Sequence, residues 1–190
     1  MSKAYFAEET FSNIDFTKEP LETGDYEICR FVNCQFPKCD LSEIAFIECE
    51  FEGCDLSMAK VYGTSIRDCR FSECKLIGVQ FDSCNDFLFS AEFEACNLNL
   101  ASFFQAKVKN PSFKQCSLQE VEFSQAILKD AVFEECDLAN ATFSSTQLQK
   151  ADFRHSYNFI IDPETNQIEG AKFSLQGLPG LLDKYGIEVN

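Results

Sequence analysis

The chain predicts an all-β fold, a four-sided parallel β-solenoid, and three observations in its 190 residues carry that reading. Large apolar residues recur at every fifth position from Phe31, Phe36, Leu41 and Phe46 through to Phe81, and after one slip again from Phe93 through to Phe153. A second beat of small residues, Cys or Ala, falls two positions earlier, as at Cys29, Cys34, Cys54, Cys96, Ala126 and Ala151. Aromatic residues also repeat at a spacing of twenty, in Phe93, Phe113, Phe133 and Phe153 and again in Phe103, Phe123 and Phe143, while Leu98, Leu118 and Leu138 form a third column.

A helix needs apolar positions every 3.6 residues and a strand every second one, so a strict period of five drifts off one face of either. The chain must bend once per repeat. If each five-residue unit makes one side, the large residue and the small one two before it both point inward, as alternate residues of a short strand do. Twenty residues then make four sides and one coil. A spacing of ten also satisfies the Phe alternation, but four is the better supported number. Coils stack through backbone hydrogen bonds around a dry interior of Phe and Leu, closed by Cys and Ala.

Repeats occupy residues 1–156, and residues 157–190 form a C-terminal capping or dimerisation segment with a short helix. The composition is 45% apolar with 21 Phe, enough for one domain with a sizeable core. The start, MSKAYFAEETF, shows no basic region followed by an apolar run, and nowhere do eighteen apolar residues follow one another. The expectation is a cytoplasmic protein without membrane contact.

All eleven cysteines occupy the small inward slot. They read as small buried hydrophobes kept as thiols by a reducing compartment, with Ala substituting along the same columns. Stacked Cys29, Cys49 and Cys69 approach disulfide range by Cα distance, but neighbouring Cys along the chain fall on different sides, so no zinc cluster is expected. The one histidine, His155, has no nucleophile or acid motif beside it. The eight glycines form no phosphate-cradling loop. No catalytic residue, cofactor or metal is expected, and the chain does not read as an enzyme.

Charge points to the partner. There are 31 acidic and 16 basic residues, net −15, which argues against direct nucleic-acid or anionic-membrane binding and for a basic partner. About seven coils at about 4.8 Å each give a rod of about 34 Å, hence one net charge per about 2.3 Å, near the one per about 1.7 Å of duplex DNA. That density suggests a DNA mimic. Residues 1–60 carry 13 acidic and 5 basic residues, 61–130 carry 9 and 7, and 131–190 carry 9 and 4, so the acidity concentrates towards the two ends. Simple avoidance of self-association is the competing explanation.

Two departures from the beat mark candidate sites. Twelve residues separate Phe81 from Phe93 where ten would keep register, which places two extra residues around Asn85, Asp86, Phe87, Leu88 and Phe89. These either project as a partner-contacting loop or tuck back into the core across the register correction. In the tail, Asp162 and Pro163 make a turn, Ala171 and Phe173 recover one small and large pair, and Ser174 caps a helix that begins properly near Pro179. Leu178, Leu181, Leu182 and Tyr185 form an apolar helical stripe, Gly186 ends it, and Ile187 with Val189 makes a short edge strand. Such a stripe covers the last coil, pairs with a second copy, or does both.

CDLSMA at Cys54 to Ala59, CNLNLASF at Cys96 to Phe103, AVFEECDLANATF at Ala131 to Phe143 and KADF at Lys150 to Phe153 resemble pentapeptide-repeat proteins, over roughly Phe11 to Phe153. The resemblance implies a right-handed quadrilateral β-helix. The tail resembles that of the Qnr-like quinolone-resistance branch, whose members join two rods end to end and bind DNA gyrase and topoisomerase IV as DNA mimics. On that analogy Phe173, Leu178, Leu181, Leu182, Tyr185 and Ile187 carry homodimer contacts, and the protein protects a type II topoisomerase from quinolones. A structural or interaction scaffold for another cytosolic protein is the alternative. The branch often has a longer loop where this chain inserts two residues, and some members have a second loop near Phe46 to Leu56, where this chain has none.

Overall fold

A computed structural model describes residues 4–187. Its short strands are β1 (Ala4–Ala7), β2 (Thr10–Ser12), β3 (Gly24–Glu27), β4 (Arg30–Val32), β5 (Ala45–Ile47), β6 (Glu50–Glu52), β7 (Ser65–Arg67), β8 (Cys69–Ser72), β9 (Ala91–Glu94), β10 (Ser112–Lys114) and β11 (Val132–Glu134). They form a right-handed, four-sided parallel β-helix. Side one is the sheet β1-β3-β5-β7, and side two is the sheet β2-β4-β6-β8-β9-β10-β11. Sides three and four are ladders of single parallel bridges, such as Gln35 to Asp55 and Asp40 to Lys60.

The bend that the period demands falls two residues after each large residue. Lys38, Glu43, Glu48, Gly53, Met58, Gly63, Asp68, Glu73 and Gly78 follow one another in the left-handed conformation at intervals of five. The turned amide then donates to the next coil, as Lys38 does to the Ser57 carbonyl at 2.9 Å and Gln105 to Ser124 at 3.0 Å. That bond offsets the roughly 1–2 kcal/mol that a left-handed non-glycine residue costs. Ile28 is the misfit, because its branched Cβ crowds the backbone at φ 55°. Ile28→Asn is expected to raise stability by about 1 kcal/mol in urea unfolding; a loss would mean that the half-exposed side chain packs better than its strain suggests.

Inside, side two holds one unbroken stack of rings, Phe11, Phe31, Phe51, Phe71, Phe93, Phe113, Phe133, Phe153 and Phe173, with successive centroids 4.6–5.4 Å apart and nearly parallel. Ring stacking also begins on the first coil of side one, where Phe6 lies 4.6 Å from Tyr26. Bridges from Gln147 to Gln167 and from Asp152 to Lys172 carry the ladder beyond residue 156.

Nine cysteines are fully buried, and the half-buried Cys39 and Cys84 pack against the same core. The buried ones are more than small hydrophobes, because each thiol donates to a carbonyl one coil earlier: Cys54 to Phe31 at 3.2 Å, and Cys74 to Phe51, Cys96 to Phe71, Cys116 to Phe93 and Cys136 to Phe113 at 3.4 Å. Ser156 continues the column to Phe133 at 2.6 Å, and Thr64 and Thr146 make the same bond elsewhere. The slot therefore takes small donors as well as Ala, which fills it at Ala101, Ala126 and Ala151.

Burial raises the Cys34 thiol pKa, pushes Cys49 up to about 12 and moves Cys69 higher still. A thiol pKa raised by folding contributes stability that is whole below the unfolded value near 8.5 and is lost as pH climbs through the folded value. Between those values each such thiol costs about 1.4 kcal/mol per pH unit. Melting temperature is expected to fall steeply above pH 9, and less so in the Cys49→Ala, Cys69→Ala double variant. A flat profile to pH 10.5 contradicts this.

Candidate interaction surfaces

The insertion opens with a single tight turn, Phe81–Ser83, in which Ser83 Oγ donates to the Gln80 carbonyl at 2.7 Å. Asn85 N–H reaches Thr64 O at 3.0 Å, and Ser90 N–H reaches Ile66 O at 3.1 Å. Between them the chain leaves the ladder, which is why the sheet of side one stops at β7. Asn85 Oδ1 accepts from Phe87 N–H at 3.0 Å, and Leu88 takes a left-handed turn at φ 60°. Pairing of side two resumes with Phe71 opposite Phe93, a step of twenty-two residues instead of twenty.

The segment divides between inward and outward side chains. Phe89 turns inward, 1% exposed and 6.0 Å from the Phe81 ring. Phe87 and Leu88 project, 62% and 49% exposed. The Arg67 guanidinium sits 5.8 Å from the Phe87 ring centroid, and Asp86 pairs with Lys107 at 3.4 Å. The result is a small apolar knob held from both sides.

The tail folds as a tight turn over Leu175–Gly177, capped by Ser174 Oγ, then the four-residue helix α1 (Pro179–Leu182), then a final turn ended by Gly186 at φ 59°. It docks on Phe159 and Ile161, both buried. Ile161 N–H donates to Gly180 O at 3.0 Å. Lys184 bridges Asp162 at 2.8 Å and Glu164 at 2.6 Å, while Tyr185 O–H donates to Glu164 at 3.0 Å. Those bonds raise the Lys184 pKa and lower those of Asp162 and Glu164.

This docking divides the sequence stripe. Phe173 and Leu181 pack on the chain's own core and Leu182 is half-buried, whereas Leu178, Tyr185 and Ile187 face outward. Ile187 lies in no strand, since the chain has already turned away at Gly186 and no rung flanks it; Val189 lies outside the described residues. Two contributors were not anticipated. Phe159 falls one residue off the five-residue beat, so the beat passes over it, and Leu175, 82% exposed, precedes the helical stripe.

Charge is unequal between sides. Side two carries Arg30, Arg70, Lys114, Arg154 and Lys172 against Glu50, Glu52, Glu92, Glu94, Glu134 and Asp152 on its outward positions. Opposite charges meet across rungs, as in Arg30–Glu50 at 3.0 Å, Arg70–Glu92 at 3.2 Å and Lys114–Glu94 at 2.9 Å. Side two is therefore close to neutral, and the acidic excess lies on the other sides and the corners. Among the described residues no group of three or more His, Cys, Asp or Glu is placed to hold a metal ion, and no helix is long and apolar enough to cross a membrane.

Comparison with known proteins accords with this architecture. No curated protein matches the chain. Among solved structures it is similar to a trypsin-treated variant of QnrB1, a plasmid-mediated fluoroquinolone resistance protein, with 25% identity, TM-score 0.50 and coverage of 98% of this chain and 92% of that one. A second trypsin-treated variant of QnrB1 shows 22% identity and TM-score 0.49, covering 98% and 100%. HetL, a pentapeptide repeat protein involved in heterocyst differentiation regulation from the cyanobacterium Nostoc sp. strain PCC 7120, shows 17% identity and TM-score 0.47, covering 92% and 88%. The family described as the pentapeptide repeat region matches residues 44–114 and 106–158, which together span more than half of the chain. With its five-residue sides, left-handed corners and stacked Phe column, the chain belongs to the pentapeptide repeat family.

Proposed function

We propose that the protein is a non-enzymatic DNA mimic that engages a bacterial type II topoisomerase, DNA gyrase or topoisomerase IV, and protects it from quinolones. The observation that carries this reading is the similarity over 98% of the chain to QnrB1, described as a fluoroquinolone resistance protein. A net charge of −15 along the rod supports it, because the basic groove of a DNA-binding enzyme attracts such a surface. Side two, where charges cancel, is a poor imitation of a phosphate backbone, so the mimicry is assigned to the remaining sides. A supercoiling assay with purified gyrase, with and without a fluoroquinolone, tests the proposal; neither inhibition nor drug rescue at micromolar protein would sink it.

The active form is proposed to be a homodimer through the outward residues of the tail. Phe173, Leu181 and Leu182 serve the docking of the tail, and Leu175, Leu178, Tyr185 and Ile187 serve the partner copy. The Leu175→Asp, Leu178→Asp double variant should elute as a monomer in size-exclusion chromatography where the wild type elutes as a dimer. Equal elution of both leaves the tail as a cap only. The exposed Phe87 and Leu88 favour a second reading, a scaffold for another protein, in which topoisomerase activity is unaffected.

A further inference from the structure

Outside the tail, among the described residues, nine large apolar side chains are exposed, and six of them, Met58, Tyr62, Phe87, Leu88, Leu100 and Phe104, gather at the middle of the rod. Tyr62, Asp82 and Phe104 each follow an inward residue of side four, Val61, Phe81 and Phe103, and so form one outward column on three successive coils. Met58, Gly78 and Leu100 occupy the preceding corner, at φ 57°, 68° and 61°, with the Met58 sulfur lying over Gly78. At about 4.8 Å per coil these columns span about 10 Å. A groove of about 360 Å³ lined by Phe104, Asp82, Asn85, Asp86 and Lys107 joins them to the insertion.

None of the four side chains Met58, Tyr62, Leu100 and Phe104 stands on an inward beat, so the core does not require them to be apolar. Their surroundings are acidic: Asp40, Glu43, Asp82, Glu120 and Glu122 against Lys38 and Lys60. Among the described residues none of these seven forms an ion pair, in contrast to the laddered charges of side two. An apolar centre with a net acidic rim has the composition of a protein interface.

We infer that the middle of side four, with the insertion, is a docking surface for a protein segment that presents apolar side chains flanked by Lys or Arg. A second copy of the chain would bring an identical acidic rim, and a nucleic acid would bring further negative charge, so both are repelled. The inference deepens the topoisomerase reading and rests on it. It assigns recognition to hydrophobic contact on side four, with the acidic rim steering the approach.

The test measures equilibrium binding of purified gyrase to immobilised full-length protein by biolayer interferometry. Tyr62→Glu and Phe104→Glu should each weaken binding about tenfold or more, while Val132→Glu, an exposed apolar position on side two, should leave it unchanged. Melting curves accompany each variant, and Tyr62→Ser and Phe104→Ser decide the matter if a glutamate variant melts early. Unaltered binding by Tyr62→Glu and Phe104→Glu overturns the assignment to side four and leaves the topoisomerase reading standing. Equal weakening by Val132→Glu also overturns it, and a wild type that does not bind gyrase overturns both.

Discussion

Phe113→Ala is expected to remove about 5 kcal/mol of stability, the upper end of the range for deleting a buried Phe. The side chain is fully buried, stacked on Phe93 at 5.3 Å and Phe133 at 5.1 Å, and edge-on to Phe103 at 5.8 Å and Phe123 at 6.0 Å. Neighbouring coils repeat the same packing and cannot collapse into the gap without breaking their own rung hydrogen bonds. A solenoid is held by nearest-neighbour contacts, so the loss falls on the junction between its halves. Chemical unfolding should change from one transition to two, with the half that carries the insertion separating from the half that carries the tail. A single transition displaced by less than about 2 kcal/mol would show that the ring stack contributes far less than its geometry implies.

The second large effect is expected from Gly180→Ala. A Cβ at this position would collide with the Phe159 carbonyl oxygen and lie 3.1 Å from the Phe159 ring. The Phe159 backbone stands in the way, so α1 must shift. The shift breaks the bond from Ile161 N–H to Gly180 O and lifts Leu181 off the last coil, a combined loss of about 3 kcal/mol from one hydrogen bond and one buried side chain. Limited proteolysis should then cut the tail of Gly180→Ala well before that of Gln176→Ala, an exposed control beside it. Equal digestion rates would mean that the Lys184 bridges to Asp162 and Glu164 hold the tail without this contact.

The two predictions differ in how far their grounds are visible in the sequence. Phe113 belongs to a column that the spacing of twenty exposes, and its burial follows from the beat alone. Gly180 carries no such signal, since the residue that excludes a side chain there, Phe159, stands off the beat. The insertion shows the same limit. Two surplus residues can be counted between Phe81 and Phe93, yet which of Phe87, Leu88 and Phe89 turns inward depends on where Asn85 and Ser90 find carbonyls on the coil before. Met58, Tyr62, Leu100 and Phe104 lay open to reading as apolar residues between the beats, but their nearness to one another appears only when the coil is closed.

By itself the sequence determined the period, the four sides, the inward columns of Phe and Leu and the inward placing of the cysteines, because a repeat fixes all its copies at once through spacing. Only the tertiary structure decided what happens where the repeat breaks. It showed that the thiols act as donors to the previous coil, that the tail divides into an inward set on Phe159 and an outward set, and that charge cancels on side two while an acidic excess remains on side four. Each of those outcomes depends on contacts between residues about twenty apart in the chain and adjacent in space, which a period can align but cannot name.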